Sequence, residues 1–141
     1  MGVPSPLNWF GGKSRFAGHI IKHFPPHTCY VEAFAGSGAV LCAKEPAKVE
    51  VLNDIDGELV AFFQVLRDPE LCIRLQVAAE QTLYARSEFK FAKQKSDDPV
   101  ESARRFLVRQ RMSFGGNGQD WCYSIATSRR HTAAAVPIPP I

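Results

Sequence analysis

The segment Tyr30-Val31-Glu32-Ala33-Phe34-Ala35-Gly36-Ser37-Gly38 constrains this chain more than any other. It reads as a short apolar strand that runs into a glycine turn and then a helix. A second strand, Val49 to Leu52, ends in Asn53-Asp54, with Asp54 sixteen positions after Gly38. Glycines after the first strand and an acid after the second are the ground plan of a nucleotide-binding α/β unit. Glycine at 36 and 38 lets the backbone turn sharply and approach a ligand with no Cβ in the way. The helix from Ala39 points its free N–H groups at the same space, which favours a phosphate or a carboxylate. Asp54 is placed to accept hydrogen bonds from ribose hydroxyls, and Ile55 beside it offers an apolar surface for a purine ring. The plainer alternative is a tight strand–helix turn with no ligand. Position 41 is Leu where the dinucleotide fingerprint needs a third glycine. That counts against NAD and leaves other nucleoside-containing cofactors open.

A chain of 141 residues is long enough for a core but short for a complete α/β enzyme. Hydrophobic residues at 45% and charged residues at 22% are the balance of a soluble globular domain. No apolar run of membrane-spanning length is present, and residues 1–6 lack the basic and apolar regions of a signal peptide, so the cytoplasm is the default expectation. Cys29, Cys42, Cys72 and Cys122 are widely spaced, which speaks against disulfide staples and a cysteine zinc site. His19, His23 and His27 fall four apart, but Pro25-Pro26 separates the last from any helix, so a wet helix face is preferred to a metal site. The net charge of +3 is uneven: residues 1–100 balance at −1 and residues 101–141 at +4. The basic end holds Arg104, Arg105, Arg109, Arg111, Arg129 and Arg130, interleaved with Phe114, Trp121 and Tyr123 and a glycine loop at 115–118. Such a pattern suits a polyanion, with arginines on phosphates and aromatics stacking or wedging at bases. The alternative is a solvated helix face with Trp121 and Tyr123 in the core.

Periodicity predicts a helix over 14–23 stopped by Pro25-Pro26, a strand over 29–34, a helix over 39–44 and the strand over 49–52. Asp56 can cap a helix to Leu66 whose Leu59, Phe62, Phe63 and Leu66 share one face. Asp68-Pro69 starts a helix to about Leu83, Ser87 can cap another to Lys95, and Asp98-Pro99 starts one reaching Met112. In the last, Val100, Ala103, Phe106, Leu107 and Gln110 form a mostly apolar stripe. Two parallel strands cannot make a stable doubly wound sheet, so the chain is expected to depend on a missing C-terminal half or on a partner chain.

Three ordered segments resemble the Dam-like family of adenine-specific DNA methyltransferases, which use S-adenosylmethionine. Leu7-Asn8-Trp9-Phe10-Gly11-Gly12-Lys13 resembles that family's N-terminal Trp/Tyr-x-Gly-Gly-Lys motif. Tyr30 to Gly38 resembles its Tyr-Val-Glu-Pro-Phe-x-Gly-x-Gly motif, with Ala33 for the usual proline. Val51 to Asp56 resembles its Asn-Asp-Ile-Asn segment, with Asp56 for the usual asparagine. The stretch Arg109 to Trp121 carries a weaker likeness to an Arg-x-Ser-Phe-Gly/Asn-Gly segment. The resemblance implies a partial Rossmann-like S-adenosylmethionine-dependent methyltransferase fold, α/β, followed by a helical region. It divides the chain into a cofactor-binding part (1–100), a basic helix and the start of a target-recognition region (101–132) and an irregular tail (133–141).

On that resemblance Trp9 and Lys13 border the methionine end of S-adenosylmethionine, Phe34, Gly36 and Gly38 form the pocket floor, Asp54 holds the ribose and Ile55 packs on adenine. Double-stranded DNA is the implied partner, in the setting of restriction and modification, with Arg105, Arg109, Arg111, Arg129 and Arg130 as its contacts and no metal. The family's chemistry is carried by a later Asp/Asn-Pro-Pro-Tyr/Phe motif that holds a flipped adenine. This sequence has no such motif, so no catalytic residue is expected within it. The expectation is a methyltransferase truncated before that motif, as a fragment or a shortened gene product, and inactive alone. The competing expectation is a DNA-binding or regulatory remnant that uses no cofactor.

Overall fold

The computed structural model describes residues 5–7 and 9–122. In chain order they form α1 (Ala17–Ile21), β1 (Cys29–Glu32), α2 (Ala39–Ala43), β2 (Val49–Leu52), α3 (Gly57–Arg67), α4 (Pro69–Glu80), α5 (Arg86–Phe91), α6 (Pro99–Arg111) and a 3-10 turn at Phe114–Gly116.

Three helices begin where acids can cap them. Asp56 Oδ1 accepts from the N–H groups of Glu58 (2.9 Å) and Leu59 (3.3 Å), and Asp68 Oδ1 from those of Glu70 and Leu71. Asp98 Oδ2 accepts from Glu101 N–H at 2.7 Å. Pro69 and Pro99 follow their caps at positions that need no N–H partner. α6 is the hub, packed against α3, α4 and α5. Its Val100, Ala103, Phe106, Leu107 and Gln110 are all buried, as the stripe predicts. Phe106 meets Phe62 of α3 at a centroid distance of 5.5 Å, and Leu59, Phe62 and Leu75 are fully buried in the same cluster. A second, smaller cluster of Phe89, Ala92, Val108 and Met112 joins α5 to the other flank of α6.

β1 and β2 pair in parallel, Cys29 opposite Val49 and Glu32 opposite Leu52, through the short crossover α2. Among the described residues this is a two-stranded sheet with helices, compatible with the expected α/β class. Tyr30 and Glu32 point to the covered face, while Cys29, Val31, Val49 and Val51 are exposed on the other.

Several boundaries differ from the sequence expectation. β1 stops at Glu32 rather than Phe34, because Ala33 and Ala35 leave the ladder: Asn53 Nδ2 donates to Ala33 O (3.0 Å) and Ala35 N–H to Asn53 O (3.0 Å). α1 is shorter than 14–23, since Lys13 to Phe16 form a turn closed by Phe16 N–H to Lys13 O. α4 ends at Glu80 rather than Leu83, where Thr82 Oγ1 donates to Ala78 O and receives Arg104 Nη1. α5 starts at Arg86 behind extended Ala85 with no side-chain cap, so Ser87 is a first-turn residue and not the cap. It ends at Phe91, and the carbonyls of Gln94 and Lys95 accept from Arg105 instead of continuing a helix.

Candidate functional site

The carboxyl ends of β1 and β2 meet a turn from the N-terminal segment. Trp9 O accepts the N–H of Gly12 at 2.9 Å, which folds Trp9 to Lys13 back over the glycine turn. Between them lies a cavity of about 150 Å³. Trp9, Lys13, Phe34, Gly36 and Asp54, five of the seven residues expected to hold a cofactor, line it together. Phe10, Gly11, Gly12, Ala35, Ser37 and Ala39 complete the wall. All six lie in or next to the two motif segments, though the sequence singles out none of them as a site residue.

Gly36 is required by two constraints. Its φ is +52°, and a Cβ there would stand 2.9 Å from Cδ1 of Trp9. Its N–H donates to Asp54 Oδ2 at 2.9 Å, so the turn and the acid form one unit. Asp54 Oδ1 also accepts from Asp56 N–H at 3.1 Å. Partial burial alone would raise the Asp54 pKa, but the N–H donors of Gly36, Asp56 and Ile55, with the Lys13 charge, bring it below the ordinary value. An ionised carboxylate offers about four lone-pair sites, so these backbone donors leave Asp54 acceptor capacity for a ligand hydroxyl.

Lys13 Nζ donates to Phe34 O at 3.2 Å and lies 3.9 Å from Oε1 of Glu32. Glu32 is buried, accepts from Leu41 N–H at 3.3 Å, and so ties the first turn of α2 to the strand below it. Burial raises the Glu32 pKa, against the opposing pull of Lys13, the Leu41 N–H, Tyr30 and Lys44. The Lys13 contact gives this buried carboxylate a basic neighbour.

Trp9 has two roles at once. It packs on Phe106, with ring centroids 6.2 Å apart, and it walls the cavity. Gly38 and Ile55 are placed differently. Gly38, at φ +63°, is the N-cap of α2, and a Cβ on it would meet Phe63 Cζ at 3.0 Å, so its glycine serves the turn and the packing on α3. Ile55 stands outside the cavity, 99% exposed, next to Asp54 in the chain. Phe34 lines the cavity and is 81% exposed.

The arginines expected to meet DNA are engaged inside the chain. Arg105 Nε donates to Glu101 at 2.7 Å, its guanidinium also holds the Gln94 and Lys95 carbonyls, and it lies 4.3 Å over the Phe91 ring. Arg109 donates to Ala92 O (3.1 Å) and Glu58 (2.8 Å). Arg111 donates to Pro6 O at 2.6 Å and anchors the N-terminal segment to α6. Arg129, Arg130 and Tyr123 lie outside the described residues. His23 Nδ1 bonds His19 O and His27 Nδ1 bonds Pro25 O, so these rings serve local turns.

The same part of the chain is recognisable by comparison. The family profile for the D12 class of N6 adenine-specific DNA methyltransferases matches residues 9–116. The type II methyltransferase M1.LlaDCHI of Lactococcus lactis subsp. cremoris is 30% identical over 116 residues, covering 77% of this chain and 40% of that protein. The chain thus spans well under half the length of this relative. Trp9, the glycine turn, Asp54 and Phe114 all fall inside the matched region, and the chain belongs to the D12 class N6 adenine-specific DNA methyltransferase family.

Proposed function

We propose that this chain forms the methyl-donor-binding part of a methyltransferase that moves a methyl group from S-adenosylmethionine to the exocyclic amino group of adenine in DNA. The observation that carries the reading is the convergence of Trp9, Lys13, Phe34, Gly36 and Asp54 on one cavity at the carboxyl ends of two parallel strands. The donor set suits this cofactor. The Lys13 ammonium complements a carboxylate, the Asp54 carboxylate complements ribose hydroxyls, and exposed Phe34 and Ile55 offer apolar surface to the rest of the molecule. Bound there, the cofactor supplies an electrophilic methyl group; the chain binds and orients it.

The DNA-facing role falls to the loop after α6. Phe114 is 68% exposed and stands beside Gly115, Gly116 and Gly118, all at positive φ. Asn117 Oδ1 accepts from the N–H groups of Gln119 and Asp120, and Phe114 N–H donates to Asp120 O, so the loop holds the ring outward on a fixed backbone. An aromatic wedge of this kind can enter a base step. Arg105, Arg109 and Arg111 would have to give up internal partners to meet phosphates, which weakens one of the two supports, the basic arginines, for a remnant that binds DNA without a cofactor. With no Asp-Pro-Pro-Tyr segment in the sequence, the 141 residues bind the donor without transferring the methyl group on their own.

Thermal unfolding tests this reading. S-adenosylmethionine or its demethylated product at about 100 times its dissociation constant raises stability by about 2.7 kcal/mol, several degrees in Tm. NAD leaves Tm unchanged. Equal shifts with NAD and S-adenosylmethionine would sink the cofactor assignment.

A further inference from the structure

The arginines of α6 are engaged inside the chain, but a second basic stretch is not. No Asp or Glu precedes Glu32, while Lys13, Arg15 and Lys22 fall within residues 1–31, together with His19, His23 and His27. Turn and helix wind on continuously here: Phe16 N–H donates to Lys13 O, Ile20 N–H to Phe16 O and His23 N–H to Ile20 O. Positions 15, 19, 22 and 23 therefore share one side, at helical spacings of four, seven and eight. Arg15, His19, Lys22 and His23 are all exposed, and the His19 and His23 rings lie 4.7 Å apart. Among the described residues neither Arg15 nor Lys22 has a hydrogen bond or an ion pair. The acids of the two strands are taken, Glu32 facing Lys13 and Glu50 pairing with Lys44. The helix α2, which packs on α1, has no charged residue between Ala39 and Ala43.

A face of cations without acids suits an anion, and its shape narrows which one. Ala17 is buried and Ile20 and Ile21 are half-buried, so the apolar side of α1 is covered by the fold and is not left for a lipid surface. Arg15 and Lys22 stand about 10 Å apart along the winding, a span for a polyanion with regularly spaced charges and too long for one small anion. The face is also continuous with the donor cavity. Phe10 and Lys13 line that cavity, a Cβ on Gly115 would be 3.7 Å from Phe10 Cδ2, and Phe16 beside Arg15 is 65% exposed. An exposed strip thus runs from the Phe114 loop past Phe10 and Lys13 to Arg15, His19 and Lys22, interleaving rings with cations. We propose that Arg15, His19, Lys22 and His23 hold the phosphate backbone of duplex DNA, the task that the basic pattern of the sequence assigns to Arg105, Arg109 and Arg111. The proposal rests on the DNA-methyltransferase reading above.

The test is the salt dependence of duplex binding by the full 141-residue chain, followed by fluorescence anisotropy of a labelled duplex across a sodium chloride series. Each phosphate contact contributes about 0.9 to the slope of log affinity against log salt. Arg15→Gln with Lys22→Gln should lower that slope by about 2 and weaken duplexes of different sequence equally. Arg15→Lys with Lys22→Arg keeps the charges and should keep the slope. Arg67→Gln with Arg74→Gln removes the same charge from exposed positions beside the amino end of α6, where Arg74 meets Asp98, at the end opposite the Phe114 loop. That pair should leave the slope unchanged. A parent slope retained by the Arg15 and Lys22 glutamine variant, or the same loss in both glutamine pairs, overturns the proposal. So does a retained slope accompanied by lost binding to phosphatidylserine vesicles, which assigns the face to a membrane. A parent chain that binds no duplex at any salt overturns it too. The donor-binding reading is judged apart, by S-adenosylmethionine titration, which the Arg15 and Lys22 substitutions leave unchanged.

Discussion

Asp54 and Gly36 form the smallest unit on which the rest depends. The Gly36 N–H to Asp54 bond joins the two strand ends, and the Trp9 indole closes over Gly36 with no room for a methyl group. Gly36→Ala should therefore reduce stability by about 1–3 kcal/mol through positive-φ strain and collision with Trp9. It should also abolish cofactor binding; denaturant melts and a titration measure the two separately. Glu101 sets a pH dependence. Arg104 bonds its carboxyl and, with Arg105, holds it down to about 2 from an ordinary 4.5, against the opposing effect of burial. A carboxyl lowered in the fold stabilises it above the unfolded value and loses that contribution as pH falls toward the folded one. Stability should fall between about pH 5 and 2, by about 1–2 kcal/mol from this group once solvent screening is allowed for. Glu101→Gln should flatten that part of the profile in urea melts taken across the range.

At the scale of elements, α6 decides both the core and the placement of Trp9. Phe62→Ala in α3 removes a fully buried ring against Phe106 and should cost about 3–5 kcal/mol, read from a chemical melt. Phe114→Ala, at an exposed loop ring, should leave Tm unchanged and weaken DNA binding in a mobility-shift assay. The Asp-Pro starts and the apolar stripe of α6 were legible in the sequence because capping and helical periodicity are local. The start of α5 was not, since Ala85 enters it extended with no side-chain cap to read. The roles of the arginines were hidden for another reason. Arg111 meets Pro6 O and Arg109 meets Glu58, partners 105 and 51 positions away, so a basic stripe that reads as a DNA face is largely internal mortar.

At the scale of the whole molecule, one surface is apolar where water would meet it. Cys29, Val31, Val49 and Val51 share the outer face of the two-stranded parallel sheet, and Val31 is 58% exposed. Parallel sheets are normally covered on both faces, so this face should drive concentration-dependent association. Sedimentation should show larger species at high concentration for the parent chain and fewer for Val31→Lys. The sheet pairing itself was legible from the two strand signals and the short crossover between them. Five of the seven residues expected to hold a cofactor share one cavity because the family motifs keep them close to the strand ends, whereas Gly38 and Ile55 show that neighbours of a motif need not share its cavity. The central claim is that this cavity binds S-adenosylmethionine through Asp54, and isothermal titration calorimetry of the parent chain and Asp54→Ala measures it directly. The account predicts saturable one-to-one binding by the parent and none by Asp54→Ala at the same concentrations; no binding by the parent, or the same affinity in both, would contradict it.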